Sequence, residues 1–170
     1  MLRNLSFMLS GCLVLSAIFA YSVDKKPITE SCLTCMCEAL SGCNDTAICV
    51  NGACGIFRLT WDQWVDCGRL TLAGESPLSE SSFINCANDP HCAADSLQNY
   101  MVKYGQDCNN DDKEDCLDYN AIHYMGPFSC RKHMPFNYEH TFKKCIKQVQ
   151  REEEEKQQQQ KQQQEQKQLA

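Results

Sequence analysis

The chain has 170 residues, 14 of them cysteine, and a formal net charge of −6 from 16 Lys and Arg against 22 Asp and Glu. That acidic balance, with no basic patch, excludes a nucleic-acid binder, which needs clustered cations to displace counterions. It also argues against a cationic lytic peptide steered to anionic bacterial surfaces.

Residues 1–22 read MLRNLSFMLSGCLVLSAIFAYS. One Arg near the front, an apolar run from Leu5 to Ala20 and the small residues Ala20 and Ser22 predict a cleaved secretory signal peptide. The run falls short of the ~20 residues a span needs and nothing later approaches that length, so no membrane partner is expected. The expected location is secreted and extracellular.

Export decides how the cysteines are read. In an oxidising compartment thiols pair, whereas zinc would need Cys32, Cys35, Cys37 and Cys43 to converge as thiolates with no competing oxidant. Removing Cys12 with the leader leaves thirteen cysteines, an odd number, so at least one lacks an internal partner. They fall in one domain, 23–147, where eleven Lys and Arg against seventeen Asp and Glu leave −6. A domain of that size has a modest core, and cross-links restrain its unfolded chain by roughly 2–4 kcal/mol each.

In chain order, the first predicted helix is 30–41, with Ser31 as its cap, Leu33, Met36, Cys37 and Leu40 at helical spacing, and Gly42 as its stop. At 48–59 the pair Asn51-Gly52 between apolar residues predicts a β-hairpin that Cys49 and Cys54 could staple. Thr60 or Asp62 caps a second helix through Trp64, ending near Gly68. A third starts at Asp89-Pro90 and runs to Gly105 with Ala93, Leu97, Tyr100, Met101 and Tyr104 on one face. A fourth covers 115–124. The acidic run 109–115 lacks the Gly and distal Glu of a calcium loop and reads as a solvated loop. Residues 148–170, rich in Gln and Glu with no aromatic, read as a disordered or frayed helical tail, without the apolar a and d positions of a coiled coil.

The cysteine signature and its surroundings resemble the invertebrate-type (i-type) lysozyme, or destabilase, family. The family opens C-x-x-C-x-C-x-x-E-S-G-C; here stand Cys32-Leu33-Thr34-Cys35-Met36-Cys37 and then Ser41-Gly42-Cys43. Further matches are Cys54-Gly55-Ile56-Phe57, Trp64-Val65-Asp66-Cys67-Gly68, Cys92-Ala93, Gln98-Asn99-Tyr100-Met101, and His123 through Gly126-Pro127 to Cys130. The resemblance spans nearly all of 31–145. It implies an α+β fold: a small disulfide-rich lysozyme-like domain, mainly helical with a short β-hairpin. It also implies a cleft for peptidoglycan or a related β-1,4-linked amino-sugar polymer, with no cofactor and no metal.

A retaining glycosidase needs two carboxyls, one kept protonated by burial and one ionised. At the family's acid position stands Leu40, and the second carboxylate is missing from the shortened loop Val50-Asn51-Gly52-Ala53. The nearest substitutes are Glu38, two residues and about 200° away on a helix, and Asp45 beyond the turn. Asn44-Asp45-Thr46 is an N-glycosylation sequon, which marks Asn44 as an acceptor on an exposed loop. The Ser/Lys pair to which destabilase isopeptidase activity is attributed corresponds to Ala53 and Thr60, so that chemistry lacks its nucleophile and its base. His123 keeps the family's H-x-x-G-P position but has no serine to activate. Trp64 falls where the family has its Trp and is expected in the core. Trp61 and His123 are the candidate glycan contacts.

The same resemblance implies the pairs Cys37 with Cys43, Cys49 with Cys54, Cys86 with Cys92, Cys108 with Cys130, Cys32 with Cys116 and Cys35 with Cys145. The family's partner for Cys67 is replaced by Ser96, which leaves Cys67 as the odd thiol. The expected function is a glycan-binding, catalytically impaired lysozyme-like protein in antibacterial defence or digestion. The alternatives are an active muramidase using Glu38 and Asp45, and a structural extracellular protein without glycan binding. Oligomeric state has no signal in the sequence.

Overall fold

Helix α1 (Glu30–Ser41) opens the part of the chain that the computed structural model describes, residues 26–46 and 49–168; the expected leader lies outside it. Its buried face is Cys32, Leu33, Cys35, Met36 and Cys37. The cap is Thr29 rather than Ser31: the Thr29 hydroxyl accepts from the Cys32 amide at 3.2 Å, and Ser31 already stands inside the first turn. Gly42, at φ 68°, ends the helix, and the Gly42 and Cys43 amides turn back onto the Glu38 and Cys37 carbonyls at 3.0 and 3.2 Å.

A three-stranded antiparallel sheet follows, β1 (Cys49–Val50), β2 (Ala53–Cys54) and β3 (Leu59–Thr60), in that order. Asn51 and Gly52 both have positive φ, 52° and 80°, which is the backbone of a two-residue hairpin turn whose twist matches the strands. Cys49 lies opposite Cys54 across that hairpin, and Ala53 lies opposite Thr60 across the next pair. Gly55 cannot be replaced freely: its φ is 70°, and a Cβ there would stand 1.7 Å from the Ala87 carbonyl oxygen. That backbone contact seats the sheet on the helix that follows at 80–88.

Thr60 starts α2 (Trp61–Asp66) with a reciprocal cap, its hydroxyl accepting from the Gln63 amide while the Gln63 side chain accepts from the Thr60 amide. Helix α3 (Glu80–Asn88) has no counterpart in the sequence reading. It carries no side-chain cap, and it is held by burial of Phe83, Cys86 and Ala87. Helix α4 (Pro90–Tyr104) has Pro at its start and the Asp89 carboxylate accepting from the Cys92 amide at 2.8 Å. In α5 (Cys116–Met125) the fully buried Asp118 accepts from the Asp115 and Cys108 amides, both at 2.9 Å.

The last helix, α6 (Phe136–Gln168), runs 33 residues. Its first half packs against α1, with Phe142 buried in the core and Ile146 and Val149 partly buried against it, while Tyr138 stacks on Tyr124 of α5 at 4.1 Å. Where a disordered or frayed helical tail is expected, the structure continues the same helix: Glu, Gln and Lys are good helix formers, and the packed half supplies the nucleus they would lack alone.

Trp64, Met36, Leu59, Leu97, Met101, Ile122 and Phe142 are sealed from solvent in one core, each worth about 1.5–3 kcal/mol of burial. Six disulfides close around it: Cys32–Cys116, Cys35–Cys145, Cys37–Cys43, Cys49–Cys54, Cys86–Cys92 and Cys108–Cys130. The first two join α1 to α5 and α6 across separations of 84 and 110 residues, for which loop-closure entropy gives about 4–5 kcal/mol each. Cys67 is buried and free. Among the described residues no helix is long and apolar enough to cross a membrane.

Candidate functional site

The end of α1, the turn at 55–58, the start of α2 and the end of α5 meet through a chain of hydrogen bonds. Ser41 donates from its hydroxyl to the Ile56 carbonyl at 2.7 Å. One residue on, the Phe57 carbonyl accepts from His123 Nε2 at 2.7 Å. A carbonyl only accepts, so the ring proton sits on Nε2 and Nδ1 is the acceptor, facing the Gln63 amide nitrogen at 3.3 Å. The same Gln63 nitrogen donates to the His123 carbonyl at 2.9 Å, and the Gln63 oxygen takes the Thr60 amide and hydroxyl at 3.1 and 3.2 Å. His123 is 5% exposed. Burial holds the imidazole below the usual histidine pKa, against the opposing pull of the Phe57 hydrogen bond.

This arrangement sets what each candidate can do. Both ring nitrogens of His123 are taken within the protein, so the glycan contact expected of it has no free donor or acceptor to rest on. Trp61 is half-buried, its ring 5.1 Å from Trp64 and 5.6 Å from Phe83, with the Arg69 guanidinium 5.6 Å from the indole centroid. The indole is thus one wall of an aromatic cluster, and only its remaining edge is left for a sugar.

Leu40 is half-buried at the C-terminal end of α1. Glu38 and Asp45 are both exposed, Glu38 on the helix and Asp45 in the turn after Gly42. A general acid on this scaffold needs burial to keep its proton, and neither position supplies it. Asn44 is exposed as well, and its side-chain oxygen accepts from the Thr46 amide at 3.0 Å and the Thr46 hydroxyl at 2.6 Å, a local turn that leaves the amide nitrogen pointing free of these bonds.

Ala53 and Thr60, the positions of the Ser/Lys pair, face each other between β2 and β3. The first offers a methyl group, and the hydroxyl of the second is committed to the cap of α2. Among the described residues no three His, Cys, Asp or Glu side chains are grouped to hold a metal ion. Two concavities, of about 750 and 590 Å³, lie along α6 and involve none of these side chains.

Two contributors escaped the sequence reading. Gln63 stands three residues after Thr60, the spacing of a reciprocal cap, and could have been found that way. Arg58 gives no such signal. It adopts φ 53°, which costs a non-glycine residue about 1–2 kcal/mol, and its Nη1 is enclosed with no hydrogen-bond partner.

Comparison with known proteins points one way. The Destabilase family profile matches residues 29–145. A lysozyme of Ostrea edulis is 31% identical over 142 residues, covering 79% of this chain and 94% of the relative. Invertebrate-type lysozyme 3 of Caenorhabditis elegans is 29% identical over 121 residues, covering 69% and 86%. Among solved structures, the inhibitor-bound lysozyme from Meretrix lusoria is 28% identical at a TM-score of 0.56, covering 71% of this chain and 92% of that one. The Tapes japonica lysozyme is 25% identical at a TM-score of 0.54, covering 69% and 90%.

Proposed function

We propose, from the premise that this chain belongs to the destabilase family of invertebrate-type lysozymes, that it binds the family's glycan without cutting it. The family's activity is hydrolysis of β-1,4 bonds in bacterial peptidoglycan. The observation that carries the proposal is Leu40: an aliphatic side chain, half-buried at the end of α1, occupies the place from which the proton donor acts. Cleavage of a glycosidic bond by two carboxyls loses its leaving-group assistance without that proton. The hairpin at 49–54 holds no acid to serve as the second carboxylate.

The scaffold around the vacancy is kept. Ser41, Gln63 and His123 tie the end of α1, the turn at 55–58 and α5 together, which supports retention of the family's scaffold around Leu40. A body closed by six disulfides belongs in an oxidising compartment, which supports secretion, and an exposed sequon at Asn44 supports N-glycosylation there. The role that follows is recognition or sequestration of bacterial wall glycan, in defence or in digestion.

Two assays test the reading with the purified mature protein. In a turbidity assay on bacterial walls we expect no clearing above the protein-free rate; clearing abolished by Glu38→Gln or Asp45→Asn would establish an active muramidase instead. In sedimentation with insoluble peptidoglycan we expect retention, and a protein left wholly in the supernatant removes glycan binding and leaves a structural extracellular role.

A further inference from the structure

Glycan binding gives no task to the Gln-rich end of the chain. Nine of the twelve residues at 157–168 are glutamine, and Lys156, Lys161 and Lys167 stand beside and among them. They belong to the outer half of α6, where residues 151–167 are all exposed. Glu and Lys form helix as readily as Gln and carry charge, so they would serve a solvated helical spacer as well. What glutamine adds is a primary carboxamide.

The glutamines of the body are differently placed. Gln63 donates its amide to the His123 carbonyl at 2.9 Å, Gln98 to the Ile28 carbonyl at 2.7 Å and Gln106 to the Pro127 carbonyl at 2.8 Å. Gln148 donates to the Glu152 carboxylate at 3.1 Å, and it and Gln150 flank Val149, where the helix still packs on the core. From Gln157 outward the carboxamides make no hydrogen bond among the described residues. Backbone access divides the two groups in the same way. An enzyme that works on a side-chain amide draws the segment around it out of its helix and into a cleft. At 157–167 that opening breaks no packing, and the turns at a helix end fray at almost no cost, whereas at Gln148 it would pull Ile146 and Val149 from the core.

We propose that the outer half of α6 is a covalent cross-linking site, at which a calcium-dependent transglutaminase joins its glutamines to the lysines of a second copy of this chain. The cysteine of that enzyme attacks the Gln Cδ carbonyl, the C–N bond of the carboxamide breaks, and ammonia leaves with the thiol proton. The Lys ε-amine then attacks the thioester, a new C–N bond forms, and the thiol is restored. One carboxamide and one amine give one ε-(γ-glutamyl)lysine bond and one ammonia, with no oxidant or reductant. A second copy is the partner because one exposed segment carries both reacting groups and stands clear of the disulfide-closed body, so two such segments meet without the bodies touching. The proposal goes beyond glycan binding and does not depend on it: the chain truncated after Lys156 should sediment with peptidoglycan as the native protein does.

The test treats the purified mature protein with a tissue transglutaminase and calcium. With dansylcadaverine as the amine probe, we expect label that peptide mass spectrometry places within residues 157–168, and its loss on truncation after Lys156. Without the probe, the native protein should release ammonia and form a ladder of multimers that survives boiling and disulfide reduction. The triple variant Lys156→Arg, Lys161→Arg, Lys167→Arg keeps the charge and removes the amines; it should still take up dansylcadaverine and lose the ladder. Native protein left unlabelled while casein is labelled in parallel, or label shared evenly between the body and residues 157–168, overturns the site. Labelled protein that forms no ladder, or a ladder that persists in the triple variant, overturns the pairing of these glutamines with these lysines.

Discussion

With Nε2 donating to Phe57 and Nδ1 accepting from Gln63, His123 is neutral in the folded chain, and this has a pH signature. Its folded pKa is lowered, chiefly by burial, so below the unfolded value near 6.5 the unfolded chain binds a proton that the folded chain refuses. The contribution of a neutral His123 is therefore complete above about pH 6.5 and is lost on acidification toward the folded pKa, at up to about 1.4 kcal/mol per pH unit. Urea unfolding at pH 7.5 and pH 5.5 should show a fall in stability that is smaller in His123→Gln, a variant that keeps an amide donor for Phe57; an equal fall in both proteins refutes the assignment. The same scale decides Cys67. It is buried, its thiol donating to the Trp64 carbonyl at 3.1 Å, and Ser96 is fully buried beside Cys86. Burial raises the thiol's pKa, which keeps it unreactive. Ser96→Cys should close a bond between positions 67 and 96, taking free thiols in the mature protein from one to none and adding about 3–4 kcal/mol of stability. Thiol titration under denaturing conditions that still finds a free sulfhydryl would refute it.

At the scale of elements, what could be read from the chain was whatever its own neighbours decide. The hairpin at Asn51-Gly52, the stop at Gly42 and the start at Asp89-Pro90 are chosen by the backbone needs of single residues, and all three are in the structure. Helix α3 is not of that kind: Ser79 makes no side-chain cap, and the segment is helical because Phe83 closes on Trp61 and Trp64 and Gly55 docks on its last turn. The motif Gln98-Asn99-Tyr100-Met101 was legible as a resemblance but not in its task, which is to clamp distant backbone. Gln98 holds both the amide and the carbonyl of Ile28, at 2.9 and 2.7 Å, and Asn99 donates to the Cys67 carbonyl at 3.1 Å. At the candidate site the loss of the acid could be read at Leu40, whereas the strain at Arg58 comes from the path of the chain and leaves no mark in composition. The outer half of α6 packs on nothing, since residues 151–167 are all exposed, and is helical by propensity carried on from the packed half. Truncation after Gln150 should lower helical circular dichroism by the share of residues 151–168 and change urea stability by no more than about 0.5 kcal/mol. A larger loss would show that this segment packs on the body.

For the molecule as a whole, stability is lodged in cross-links that span most of the domain. Cys35–Cys145 fastens the second turn of α1 to the third turn of α6, so the double variant Cys35→Ser with Cys145→Ser should cost about 2–5 kcal/mol in urea unfolding. The free Cys67 should stay unreactive to alkylation in both folded proteins; labelling only in the variant would mean that the core around Trp64 had opened as well. One consequence of α6 concerns motion. At 1.5 Å per residue its 33 residues extend about 50 Å, of which the exposed stretch 151–167 is about 25 Å, against a radius of gyration near 14 Å for a body of this size, so a slender rod projects from a rounded head. Such an object drags through water far more about two of its axes than about the third. Its tumbling is set by the rod, while the disulfide-closed head is carried on the end of it like a lantern on a pole.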